Sequence, residues 1–227
     1  MKRKYNVIIA CSKNWFLRDK KVQKFLKEKN VFLIENKNKL TLKYLSKINP
    51  KYIFFPHWSF IIKKNILNKY TCICFHSTDL PFGRGGSPIQ NLIKRDFKNT
   101  KICALKMENK IDAGPIYLKE NLNLNGSLSE IFEKISIKVL IMINKICKKK
   151  IRPKKQTGEP LYFKRLEIKD NLIDFNKDLK KIFNQIRMLD DPLYPKSFIN
   201  VGKYKIKFFN AKIKNKMIRV NAEIGKN

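Results

Sequence analysis

The sequence predicts an α/β fold: a Rossmann-like, mostly parallel open sheet with a small C-terminal α+β extension ending in a β-hairpin. Three observations carry this. Short apolar runs without polar alternation recur between segments of helical period, as in strands covered on both faces. Apolar residues make up 43% of 227, ample for a core despite 30% charged residues. A basic break over residues 148–158 (KKKIRPKKQTG) separates a larger domain, 1–158, from a smaller extension, 159–227.

The expected strands are residues 5–10 (YNVIIA), 31–35 (VFLIE), 52–56 (YIFFP), 71–75 (TCICF) and 102–107 (ICALKM). Between them, residues 20–29, 40–47, 59–68 and 87–97 have helical period, which gives the strand-helix alternation of a doubly wound sheet. A long helix is expected over 127–148. It opens on a capping box, Ser127 to Glu130, and carries Leu128, Ile131, Phe132, Ile135 and Val139 on its apolar stripe. Beyond the break come a helix at 177–188, turns at Asp190-Asp191-Pro192 and Tyr194-Pro195, and a closing hairpin of residues 201–210 and 212–223.

Charge and cysteines bound the function. Lys and Arg number 51 against 18 Asp and Glu, a formal charge of +33. Eight are Arg, so Lys dominates from end to end in company with Asn and Ile, the mark of AT-rich codons. Specific nucleic-acid recognition is therefore not expected; solubility and mild affinity for polyanions are. No apolar run reaches the ~18–20 residues of a membrane span, so no membrane partner is expected. The five Cys (11, 72, 74, 103, 147) have no metal-ligand spacing and read as reduced thiols of a cytoplasmic protein. Met1-Lys2-Arg3-Lys4 followed by Ile8-Ile9-Ala10-Cys11 imitates an export signal, but its apolar stretch is too short and reads as a buried strand.

Residues 75–93 (FHSTDLPFGRGGSPIQNLI) leave the fourth strand at its carboxyl end, where open α/β sheets place ligands. His76 is a base that can titrate near neutral pH. Gly83-Arg84-Gly85-Gly86 allows close backbone approach and adds a cationic fork. Ser87-Pro88-Ile89-Gln90 has the N-cap, first-turn Pro and capping-box Gln of a helix start. Each signal alone also fits a hydrogen-bonded structural His and an ordinary turn. No Gly-Lys-Ser/Thr follows, so this is not a phosphate-binding loop. Further on, Asp112 stands immediately before a tight Gly114-Pro115 turn that starts another apolar run.

Together these two segments resemble the folate-dependent formyltransferase family. His76, Leu80-Pro81 and Arg84-Gly85 match its first motif, and Asp112, Gly114, Pro115 and Ile116 its second, at the family's spacing. Gln156-Thr157-Gly158-Glu159 with Phe163-Lys164-Arg165, and Ile186-Arg187 with Pro192-Leu193-Tyr194-Pro195, are similar to later family stretches. The wording of residues 76–93 is most similar to the sugar-amine branch. One position departs: the family's first catalytic residue is Asn, and here it is Cys74, a far weaker hydrogen-bond donor.

The resemblance implies 10-formyltetrahydrofolate as co-substrate, a primary amine as acceptor and no metal. It makes His76 and Asp112 catalytic, His76 moving a proton and meeting the oxyanion, Asp112 orienting it; Cys74 occupies the remaining catalytic position. Phe82, Gly83, Arg84, Gly85, Gly86, Ser87, Pro88 and Gln90 would wall the folate, and His57-Trp58 could line the site. With only about 70 residues after Gly158, read as the core's own tail, the expected acceptor is a nucleotide-linked amino sugar of polysaccharide biosynthesis, and a homodimer is compatible. The alternatives are a methionyl-tRNA formyltransferase and a degenerate, non-catalytic binding module.

Overall fold

The computed structural model describes residues 5–226; the basic start Met1-Lys2-Arg3-Lys4 lies outside them. The chain opens with β1 (Val7–Cys11), α1 (Lys20–Leu26), β2 (Val31–Ile34), α2 (Leu42–Ile48), β3 (Tyr52–His57), α3 (Lys64–Lys69) and β4 (Cys72–His76). There follow β5 (Arg84–Gly85), α4 (Pro88–Lys94), β6 (Asn99–Lys106), β7 (Ile116–Asn123) and α5 (Leu128–Lys148). The chain ends with β8 (Tyr162–Phe163), α6 (Leu179–Arg187), β9 (Ser197–Val201), β10 (Tyr204–Lys214) and β11 (Met217–Lys226).

Six strands form one sheet in the order β2-β1-β3-β4-β6-β7. The first four are parallel, whereas β6 runs antiparallel to β4 with Cys103 opposite His76. All five residues of β1 are buried, the reason its run shows no polar alternation. Helix starts follow from side-chain caps: Asp19 accepts from the Lys21 and Val22 amides, and Thr41 from that of Tyr44. On one side of the sheet Ile8, Ala10, Ile53 and Phe55 pack with Leu45 and Ile48 of α2 and Ile66 of α3. Each such Ile, Leu or Phe side chain, fully buried, contributes roughly 1.5–3 kcal/mol. The third helix is shorter than expected. Ser12 Oγ accepts the Ser59 amide at 3.1 Å, which leaves residues 59–63 outside the helix.

Packing divides the chain into two compact units, each described by itself. The first holds residues up to Arg84, 101–122 and 132–162; the second holds 85–100, 123–131 and 163–227. Composition alone drew the line at 158/159. In the second unit Ile182 and Ile186 of α6 pack with Ile173 and with Ile199, Phe208, Ile218 and Val220 of the antiparallel sheet β9-β10-β11. The terminal hairpin differs in register from the expected one. Asn210, at φ 52, marks an irregularity within β10, and the turn falls at Asn215-Lys216, whose φ values are 49 and 57. An Asn inside a strand signals a turn to any sequence rule, yet a bulge uses the same left-handed residue. Among the described residues no helix is long and apolar enough to cross a membrane.

Candidate active site

Strand β4 carries His76 to its carboxyl end, and the loop that follows folds back over the ring. His76 Nε2 lies 2.7 Å from the Gly83 carbonyl oxygen, which also accepts from Thr78 Oγ1 at 3.3 Å. His76 Nδ1 lies 3.5 Å from Asp112 Oδ2, and both side chains are largely buried. The imidazole thus stands between two acceptors. Protonated, it donates to both; neutral, it has one N–H for the two acceptors. The loop itself is tied down by Lys119, which donates to the Leu80 carbonyl at 2.8 Å and pairs with Asp79, as Lys101 does at 2.8 Å.

Asp112 reaches His76 from a constrained turn. Its φ is 51, the left-handed region that a residue with Cβ rarely occupies. Two residues on, the backbone lies so close to β6 that a Cβ on Gly114 would sit 1.8 Å from the Lys106 carbonyl oxygen. Gln156 Nε2 donates to the carbonyls of Asp112 and Gly114, at 2.8 and 2.9 Å. Its Oε1 accepts from Arg84 at 2.7 and 3.3 Å, and Arg84 donates further to Tyr162 Oη at 3.3 Å. Arg84 is therefore a buried structural cation, where the sequence suggested a fork free to meet a ligand. The Gln156 role was missed; its sole trace in the sequence is the Gln-x-Gly-Glu stretch.

Cys74 lies two residues before His76 on β4, hence on the same side of the strand. It packs with Leu80, Cys103 and Leu105. Burial first, and then the negative charge of Asp112, push its thiol well above the usual range. Burial likewise raises Cys11 and Cys72 to about 12 and Cys103 to about 11. A thiol held protonated is a poor nucleophile.

In the second unit the glycines serve packing. The Gly86 amide donates to the Phe163 carbonyl at 3.0 Å, and a Cβ on Gly85 would meet that same oxygen at 2.6 Å. Ser87 and Pro88 do open α4, but the capping box expected with Gln90 does not form. Ser87, at φ 48, turns its Oγ to accept the Leu166 amide at 3.1 Å. Phe82 and Gly83 remain in the first unit beside His76. His57 ends β3 with Nδ1 3.3 Å from Ser12 Oγ, while Trp58 packs against the core cluster. No three His, Cys, Asp or Glu side chains among the described residues are grouped to hold a metal.

A mostly parallel sheet with an imidazole–carboxylate pair at the carboxyl end of its fourth strand makes this an α/β protein with a candidate acid–base site where such sheets place ligands. The chain belongs to the formyltransferase family that includes the methionyl-tRNA formyltransferases. A solved methionyl-tRNA formyltransferase from Clostridium thermocellum is 46% identical, with a TM-score of 0.94, covering 98% of this chain and 100% of that one. A curated methionyl-tRNA formyltransferase from a Sulfurihydrogenibium species is 32% identical over 188 residues, 78% of this chain and 59% of that protein. This chain thus spans about 59% of that relative's length. A family model described as the C-terminal domain of methionyl-tRNA formyltransferase matches residues 168–225.

These findings overturn the sugar-amine reading and its nucleotide-sugar partner. An N-formyltransferase from Helicobacter canadensis, solved with folinic acid and dTDP-3-aminofucose, is only 20% identical at a TM-score of 0.62, a likeness of fold alone. The error has a definite source. The tail read as part of the core is the region the methionyl-tRNA formyltransferase model matches.

Proposed function

We propose that the protein is a 10-formyltetrahydrofolate-dependent formyltransferase whose acceptor is the amino group of methionyl-tRNA. The observation that carries the reading is the His76–Asp112 pair, 3.5 Å apart at the end of β4. The relatives supply the substrate: the 46% identical structure and the match over residues 168–225 both bear the methionyl-tRNA name. The donor set fits the co-substrate in its chemistry, because loss of a folate nitrogen calls for a proton and no metal. When bound, 10-formyltetrahydrofolate offers an electrophilic formyl carbon to a neutral amine. Phe82 and Gly83 would hold it, Gly83 through the loop that already meets the His76 ring.

His76 moves the proton, exchanging its bond to Gly83 for one to the reacting groups. Asp112 holds the ring and balances its positive charge. Cys74 contributes little to an oxyanion, since a thiol donates weakly. The test is incubation of the full chain with 10-formyltetrahydrofolate and charged initiator tRNA, followed by chromatography of the released amino acid. N-formylmethionine formed at a rate dependent on His76 is expected; none at any enzyme concentration would defeat the assignment. Cys74 favours one other reading, a non-catalytic binding module, and folate binding without turnover in this assay would establish it.

A further inference from the structure

We propose that Gln156, held by Arg84, is a positioning residue that fixes Asp112 against His76. The inference rests on the formyl-transfer reading and adds a residue to it. The amide of Gln156 is saturated: two N–H groups meet two carbonyls, and two lone pairs meet the guanidinium of Arg84. That pattern fixes the orientation of the amide, because a flip would set oxygen against two carbonyls and N–H against a cation. The guanidinium is buried and further anchored on Tyr162 Oη.

What the amide holds is a constrained turn. Asp112 sits at φ 51, a left-handed conformation uncommon outside glycine that Asp tolerates better than most residues. Gly114 has no room to shift towards β6, so the turn has one seat. With both carbonyls pinned, the Asp112 backbone is held where its carboxylate lies 3.5 Å from His76 Nδ1. Gln156 meets Asp112 at its backbone carbonyl, so its influence runs through the Asp112 backbone. Other side chains break the pattern: Glu could accept from Arg84 but would oppose two carbonyls with lone pairs, and Ala would leave all four partners unmet.

The experiment is a double-mutant cycle on the full chain, read by steady-state formylation of methionyl-tRNA. Gln156→Ala should lower kcat by about 10–100-fold, the range for groups that orient others, with KM for 10-formyltetrahydrofolate within about twofold. In an Asp112→Asn background the same change should cost less than about twofold, because the group it positions is already gone. Equal losses in both backgrounds, or a change in KM alone, would overturn the proposal. Gln156→Glu, which keeps the Arg84 contact, serves as the second variant should Gln156→Ala fail to fold. If the wild-type protein formylates no tRNA, the function fails separately, and carbon-13 chemical shifts of Asp112 decide the positioning. They should leave the left-handed range in Gln156→Glu; unchanged shifts would refute the pinning of this turn whatever the activity.

Discussion

At the scale of the residue, the site consists of one imidazole between two acceptors. Removing it in His76→Ala should cut turnover by about 10²–10⁴, the range for a lost acid/base group, with the thermal melting temperature little changed; near-normal turnover would leave His76 structural. Cys74 makes the sharper prediction. Its raised thiol and weak donor strength mean that Cys74→Ala should change kcat less than about fivefold, a small part of what a true oxyanion donor supplies. Cys74→Asn should hold or raise activity. Iodoacetamide at pH 8 should label Cys74 slowly, because a pKa shifted upwards lowers the thiolate fraction there. A dead Cys74→Ala with a trapped formyl thioester would reverse the mechanism. His76 and Asp112 were legible in the sequence because each stands at a punctuation mark, a strand end and a glycine turn. The bond between Arg84 and Gln156 was not, although both residues stand in motifs, since a contact across 72 residues leaves no local pattern.

At the scale of the element, the buried strands β1 to β4 were legible for a physical reason. A strand covered on both faces must be apolar throughout, so its sequence is a run, and all five residues of β1 are buried. Strand β7 was less so: Ile116–Asn123 alternates exposed with buried or half-buried residues and carries Lys119 and Glu120. The turn that feeds it is set by tertiary contact. Gly114→Ala should destabilise the protein by about 1–3 kcal/mol, as for overpacking, and reduce turnover by displacing Asp112; urea denaturation together with kinetics checks both. The C-terminal hairpin gives the opposite sign. Lys216 holds φ 57 because the two-residue hairpin turn demands it, so Lys216→Gly should stabilise by about 0.5–1 kcal/mol, seen as a higher melting temperature.

At the scale of the whole molecule the question is whether a charge of +33 is composition or function. The chain as a whole has 51 basic to 18 acidic residues, fewer than three to one. Residues 197–226, the sheet β9-β10-β11, have eight to one: Lys203, Lys205, Lys207, Lys212, Lys214, Lys216, Arg219 and Lys226 against Glu223. Even spread along the sequence hid this, because strands that pair antiparallel bring lysines from separate stretches into one sheet. One side of that sheet is taken by α6, while Lys207, Lys212 and Lys214 are exposed. All of this segment up to residue 225 lies within the residues matched by the C-terminal domain model. If it meets tRNA, each neutralised phosphate adds about 0.7–0.9 to the slope of log affinity against log salt. Replacing Lys207, Lys212 and Lys214 together by Glu should lower that slope by about 2–3 and raise KM for methionyl-tRNA, with KM for 10-formyltetrahydrofolate held. Filter binding of initiator tRNA across a salt series reads the slope directly. An unchanged slope would return the lysines to codon composition, and tRNA recognition would then have to be sought elsewhere on the chain.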